Sequence, residues 1–113
     1  MKKFDFHDSS ITKIECGVSQ ELTIGIVSAM GNHCRIIFED ALYWEFSPFE
    51  MQNVLFDLHI FNQTTLPDYV IDEYEIGEYP IILLKEQNCQ IVILNPSVGM
   101  GGYIISKCVK MEN

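Results

Sequence analysis

The sequence predicts a mainly β domain: a small antiparallel β-sandwich or open barrel of about seven strands, with one short helix near residues 67–74. Three observations predict it. Short apolar runs rich in Ile, Val, Phe and Tyr recur along the chain. Turn-forming residues separate them at tight spacing. Several runs alternate apolar with polar residues, the period of a strand with one wet face. The 113 residues are the length of a single domain, 1–113, and no repeat, linker or low-complexity tract divides them. Such a chain buries roughly two-thirds of the surface it exposes when unfolded, enough for a core without a disulfide or metal.

The first run is Ser10–Cys16, closed by Gly17. In 21–28, Leu22, Ile24 and Ile26 alternate with Thr23, Gly25 and Val27, and Met30-Gly31-Asn32 supplies a turn, since Gly and Asn tolerate positive φ. Over 33–39, Ile36 and Phe38 share a face, and Leu42, Trp44 and Phe46 continue the same parity. Asp40-Ala41 is either a bulge in one long strand or a reversal between two.

Ser47-Pro48-Phe49-Glu50 satisfies a helix capping box with proline at the first helical position. The strict alternation of Val54, Phe56, Leu58 and Ile60 favours a turn at 47–50 and a strand over about 53–61 instead. Residues 67–74 carry the helix, with proline at the start, Asp68 in the first turn, and Val70, Ile71 and Tyr74 on one face. Residues 80–85 and 89–95 read as a hairpin around Gln87-Asn88, and 103–109 as a last strand after the loop 96–102.

Sixteen acidic residues against seven basic ones give a net charge of −9. From Glu15 to Glu78, twelve acids accompany a single base, Arg35. Nucleic acid and anionic membrane call for clustered Lys and Arg, so both are poor partners, whereas a basic protein surface is a suitable one. The longest aliphatic runs, 81–84 and 91–94, hold four residues each, against the ~20 of a bilayer-spanning helix. After Met1-Lys2-Lys3, Phe4-Asp5-Phe6-His7-Asp8 stands in place of the apolar stretch of an export signal. The expectation is a cytoplasmic protein in which Cys16, Cys34, Cys89 and Cys108 are free thiols serving as small buried hydrophobes.

No catalytic set, cofactor or metal is expected. His7-Asp8-Ser9 has acid–base residue types, but neighbours on an extended chain face opposite ways, so Asp8 reads as a turn residue accepting hydrogen bonds from backbone N–H groups two residues on. Asp57 and His59 share a strand face, yet two ligands are too few for zinc. The glycine-rich loop 96–102 could cradle an anion but lacks the Lys and following helix of a P-loop.

The strongest lead is acidic. Asp68, Asp72, Glu73, Glu75 and Glu78 have no base among them and are interleaved with Tyr69, Tyr74 and Tyr79, the aromatic type favoured as interface anchors. These eight residues are the predicted partner-binding face of a non-enzymatic interaction domain meeting a basic protein. The alternative is a small-molecule or minor enzymatic site using His7, Asp57, His59 or the 96–102 loop. A third option is a homo-oligomer paired through an exposed strand edge.

Phe6-His7-Asp8-Ser9-Ser10-Ile11 resembles the His-Asp-Ser-x-Ile opening of small bacterial proteins, among them the YxiG-like family and some immunity proteins of polymorphic toxin systems. Ser47-Pro48-Phe49 through Gln52-Asn53-Val54 is similar to that group's Pro-aromatic turn before an Asn and a β run, with Phe49 where such families carry tryptophan. Asn95-Pro96-Ser97-Val98-Gly99 resembles a Ser-x-Gly element near their ends. The resemblance implies a compact β-rich protein, in some relatives a toxin-neutralising binder. It implies His7, Asp8, Asn53, Ser97 and Gly99 as fold markers, and no catalytic residue.

Overall fold

Six strands and two helices follow one another in the computed structural model, which describes residues 4–113; the Met1-Lys2-Lys3 opening lies outside them. They are β1 (Ser10–Cys16), β2 (Leu22–Val27), β3 (His33–Phe46), β4 (Val54–Asn62), α1 (Asp68–Glu73), α2 (Glu78–Glu86), β5 (Gln90–Val98) and β6 (Gly102–Glu112). All strand pairs are antiparallel, and the order β1-β2-β3-β6-β5-β4 closes into a barrel. The mainly β class matches the sequence pattern. The architecture corrects the expected seven strands in a sandwich or open barrel.

Strand length explains the closure, and the surplus strand is residues 80–85. β3 runs 14 residues and β6 runs 11, so each meets different neighbours at different heights. The first half of β3 pairs with β2, and from Arg35 to Phe46 it pairs with β6. β5 meets β6 only up to Ser106. This stagger turns the sheet back on itself. Asp40-Ala41 is a bulge rather than a reversal: Asp40 takes φ 52°, and the register with β6 slips between Ala41 and Tyr43. Inward-facing Ile36 and Phe38 are followed by Ala41, while Leu42 packs on the outer face.

Residues 80–85 are the second correction. They lie in α2, not in a hairpin strand. Pro80 and Leu84, one helical turn apart, are the buried pair, and the apolar run is a helix stripe. Four adjacent aliphatics fit either element, and periodicity cannot separate them. The expected partner strand is present as β5, which continues to Val98 through a register shift beside Pro96.

Two apolar clusters result. Ile24, Ile36, Phe38, Leu55, Val92, Leu94 and Ile104 fill the barrel. Outside it, Val70, Ile76 and Leu84 of the helical segment cover Ile91, Ile93, Tyr103 and Ile105. β5 is therefore buried on both faces, and Ile91, Val92, Ile93 and Leu94 read as a continuous apolar run without alternation. All four cysteines are unbridged. Cys34 and Cys89 are buried, which pushes both thiols up. Cys16, expected inside, is exposed at the end of β1.

The barrel closes along a short seam. Asp8 N–H donates to Leu55 O (2.9 Å), Leu55 N–H to Ser9 O (2.8 Å), and Ile11 N–H to Asn53 O (2.7 Å). Ser9 is fully buried, and its hydroxyl donates to Asp5 O at 3.0 Å. The turn-capping carboxylate is Asp5, which accepts the His7 N–H at 3.0 Å, rather than the expected Asp8, whose backbone takes φ 60°. Ser97 donates to Val54 O, and Gly99, at φ 78°, lies against Asn53. His7, Asp8, Asn53, Ser97 and Gly99 thus gather around one closure.

Candidate functional site

Helix α1, the turn after it and α2 lie over the outer face of β5 and β6 because Val70, Ile76 and Leu84 bury one side of the segment. The opposite side is wet by the same logic, and it carries the acids. Asp68, Tyr69, Asp72, Glu73, Glu75, Glu78 and Tyr79 are exposed, Tyr69 and Tyr79 to 67% and 63%. Glu75 takes φ 50° in the turn. Among the described residues, none of the five acids forms a salt bridge.

Where this segment meets the β3–β6 pair, a groove of about 310 Å³ opens, lined by Glu45, Glu73, Tyr74, Glu75, Pro96 and Tyr103 among others. Three of the eight residues singled out from sequence, Glu73, Tyr74 and Glu75, enter it. The other five lie outside its lining. Glu45 and Tyr103 were not singled out. They are directly paired across β3 and β6, a relation that sequence does not display.

The two tyrosines are fixed. The Tyr103 hydroxyl donates to Glu45 Oε2 at 3.1 Å, and its ring stacks on Tyr43 with centroids 6.0 Å apart. Tyr43 meets the edge of Tyr79 at 6.0 Å. The Tyr74 hydroxyl donates to Asn95 Oδ1 at 3.3 Å. Burial, then the Glu73 and Asp57 carboxylates, push the Tyr74 hydroxyl up to about 12. Burial and Glu45 push Tyr103 up as well. Both remain neutral near pH 7, so the groove's charge is that of its three glutamates. No lysine or arginine lines it among the described residues. Three carboxylates beside the half-buried Tyr74, with no base in the lining, have the chemistry to meet a cationic group.

The other candidates are placed differently. Asp57 Oδ2 and His59 Nε2 lie 3.2 Å apart on one face of β4, as the i, i+2 spacing required. His7 and Asp57 border a separate shallow cleft of about 380 Å³. Among the described residues, no group of three or more His, Cys, Asp or Glu side chains could hold a metal ion. In the glycine loop, Met100 N–H donates to Asn53 Oδ1 and Gly101 N–H to Ser47 Oγ, so two of the loop's amides are already engaged. Among the described residues, no helix is long and apolar enough to cross a membrane.

No protein-family model matches the chain, and no curated protein does. A crystal structure of an uncharacterized protein from Neisseria gonorrhoeae is similar, with a TM-score of 0.51 at 20% identity over 100% of this chain and 98% of that one. At this identity the likeness concerns the fold alone.

Proposed function

We propose that this protein is a non-enzymatic interaction domain that receives a basic protein partner on the acidic face of α1 and α2. The observation that carries the reading is the groove in which Glu45, Glu73 and Glu75 stand beside Tyr74 and Tyr103 without a neighbouring base. Carboxylates without nearby counter-charges steer a cationic surface toward the face, and the exposed rings of Tyr69 and Tyr79 supply the apolar contact that holds it. Within this reading, an immunity-type role, occluding a basic toxin, is the specific form supported by the resemblance of the His7-Asp8-Ser9 opening. The alternative set is divided: His7 and Asp57 line a shallow cleft together with Asp5, whereas His59 lies outside its lining.

Affinity capture from the native host tests the proposal, using the intact protein and a Glu45→Gln/Glu73→Gln/Glu75→Gln variant as baits. The wild type should retain a basic protein that high salt releases, and the variant should lose it while remaining folded by circular dichroism. Equal capture by both baits, or retention undiminished by salt, would defeat the reading.

A further inference from the structure

The seam that closes the barrel is spanned by residues 4–9, which carry more chemistry than a closing strand needs. Phe4 and Phe6, ring centroids 4.9 Å apart, pack half-buried on the barrel core. Beyond them, His7 Nδ1 lies 2.9 Å from Phe56 O, and its ring edge meets Phe56 with centroids 5.2 Å apart. His7 Nε2 is 3.5 Å from Asp8 Oδ2. Clefts of about 480 Å³ and 380 Å³ flank the segment, so water reaches it from two directions.

We propose that residues 4–9 are a strap across the barrel seam, drawn tight when His7 is protonated and slackened when it is neutral. The geometry supplies the mechanism. A neutral ring can donate from Nδ1 to Phe56 O of β4 only in one tautomer and without charge. The imidazolium always carries that proton, donates a charge-assisted bond to the β4 carbonyl, and turns its second N–H toward Asp8 of the strap, so protonation strengthens the tie to β4. The groups facing His7 reinforce this. Asp5 and Asp8 come from the strap, and Asp57 from β4. Across the larger cleft lie His33 of β3 and Asn113, and among the described residues no lysine or arginine lines either cleft.

The hydrogen bond to Phe56 O is the largest influence raising the His7 pKa above 6.5, followed by Asp8, with Asp5 and Asp57 adding to it and desolvation opposing. For a raised histidine, the stabilisation is complete below the ordinary pKa and disappears as pH climbs through the raised one. The strap therefore loosens on the alkaline side of 6.5, exposing Phe4, Phe6 and the end of the barrel they cover. This device is independent of the acidic groove.

Amide hydrogen exchange by NMR tests it, from about pH 5.5 to about pH 8.5, the range over which a histidine titrates. After correction for intrinsic exchange, protection at Asp8, Ile11 and Leu55 should fall several-fold relative to Ile24 inside the barrel. The midpoint should coincide with titration of the His7 ring. In His7→Gln the pH dependence should vanish. Constant protection in the wild type, or the same dependence in His7→Gln, would overturn the proposal. If the variant fails to fold, the wild type decides alone: amide shifts of Asp8 and Leu55 that track His33 rather than His7 also overturn it.

Discussion

Asn53 Oδ1 accepts hydrogen bonds from the backbone N–H of Met100 and of Glu50, each at 2.9 Å, while Asn53 Nδ2 donates to Glu50 O at 2.7 Å. One buried amide joins the entry to β4, the turn before it and the loop between β5 and β6. Asn53→Ala strands the buried Met100 N–H and should lower unfolding stability by about 2–3 kcal/mol in urea. Asn53→Asp keeps the acceptor but sets a carboxylate against the Glu50 carbonyl, so it should not restore the loss.

Gly102 takes φ 142°, and a Cβ there would run into the Glu45 carbonyl oxygen. Gly31 also has positive φ, at 88°, but open space around it. Gly31→Ala should therefore cost only the left-handed conformation, about 1–2 kcal/mol. Gly102→Ala must also push β3 away from β6, and should be clearly the more destabilising of the two in thermal melts.

Leu84 is 1% exposed and anchors α2 to the outer cluster. Leu84→Ala should cost about 2–5 kcal/mol, with the spread set by how far the helices settle into the vacated space. Exchange protection should drop first in α1 and α2.

Alkaline titration bears on the groove. The Tyr74 hydroxyl is held at about 12, and Tyr103 is also raised, against an ordinary tyrosine near 10. Stability from keeping these hydroxyls neutral is present below 10 and is lost as pH rises through the raised values. Tyrosinate absorbance should show late-ionising groups in the folded protein. Tyr74→Phe should remove one of them.

Much of this was legible in the chain. Alternation in 22–27 located β2 and its inward face, and the pattern from Val54 to Ile60 overruled a well-formed capping box at Ser47. Residues 80–85 fit a strand as well as a helix in sequence because a short aliphatic run has no period, and only the sheet beneath α2 reveals that Pro80 and Leu84 share a stripe. The surplus seventh strand of the sequence pattern is this same segment, and the remaining six are the strands of the barrel. For the candidate site, Glu73, Tyr74 and Glu75 stood out as a charged, aromatic run. Glu45 and Tyr103 lie 58 residues apart in sequence and meet only through β-pairing, so their share of the groove was invisible.

The two-sided burial of Ile91, Val92, Ile93 and Leu94 makes β5 a partition common to both hydrophobic compartments. Removing the helical cover would wet one side of the strand whose other side seals the barrel. A disturbance beneath the acidic helices therefore reaches toward the barrel through this shared backbone.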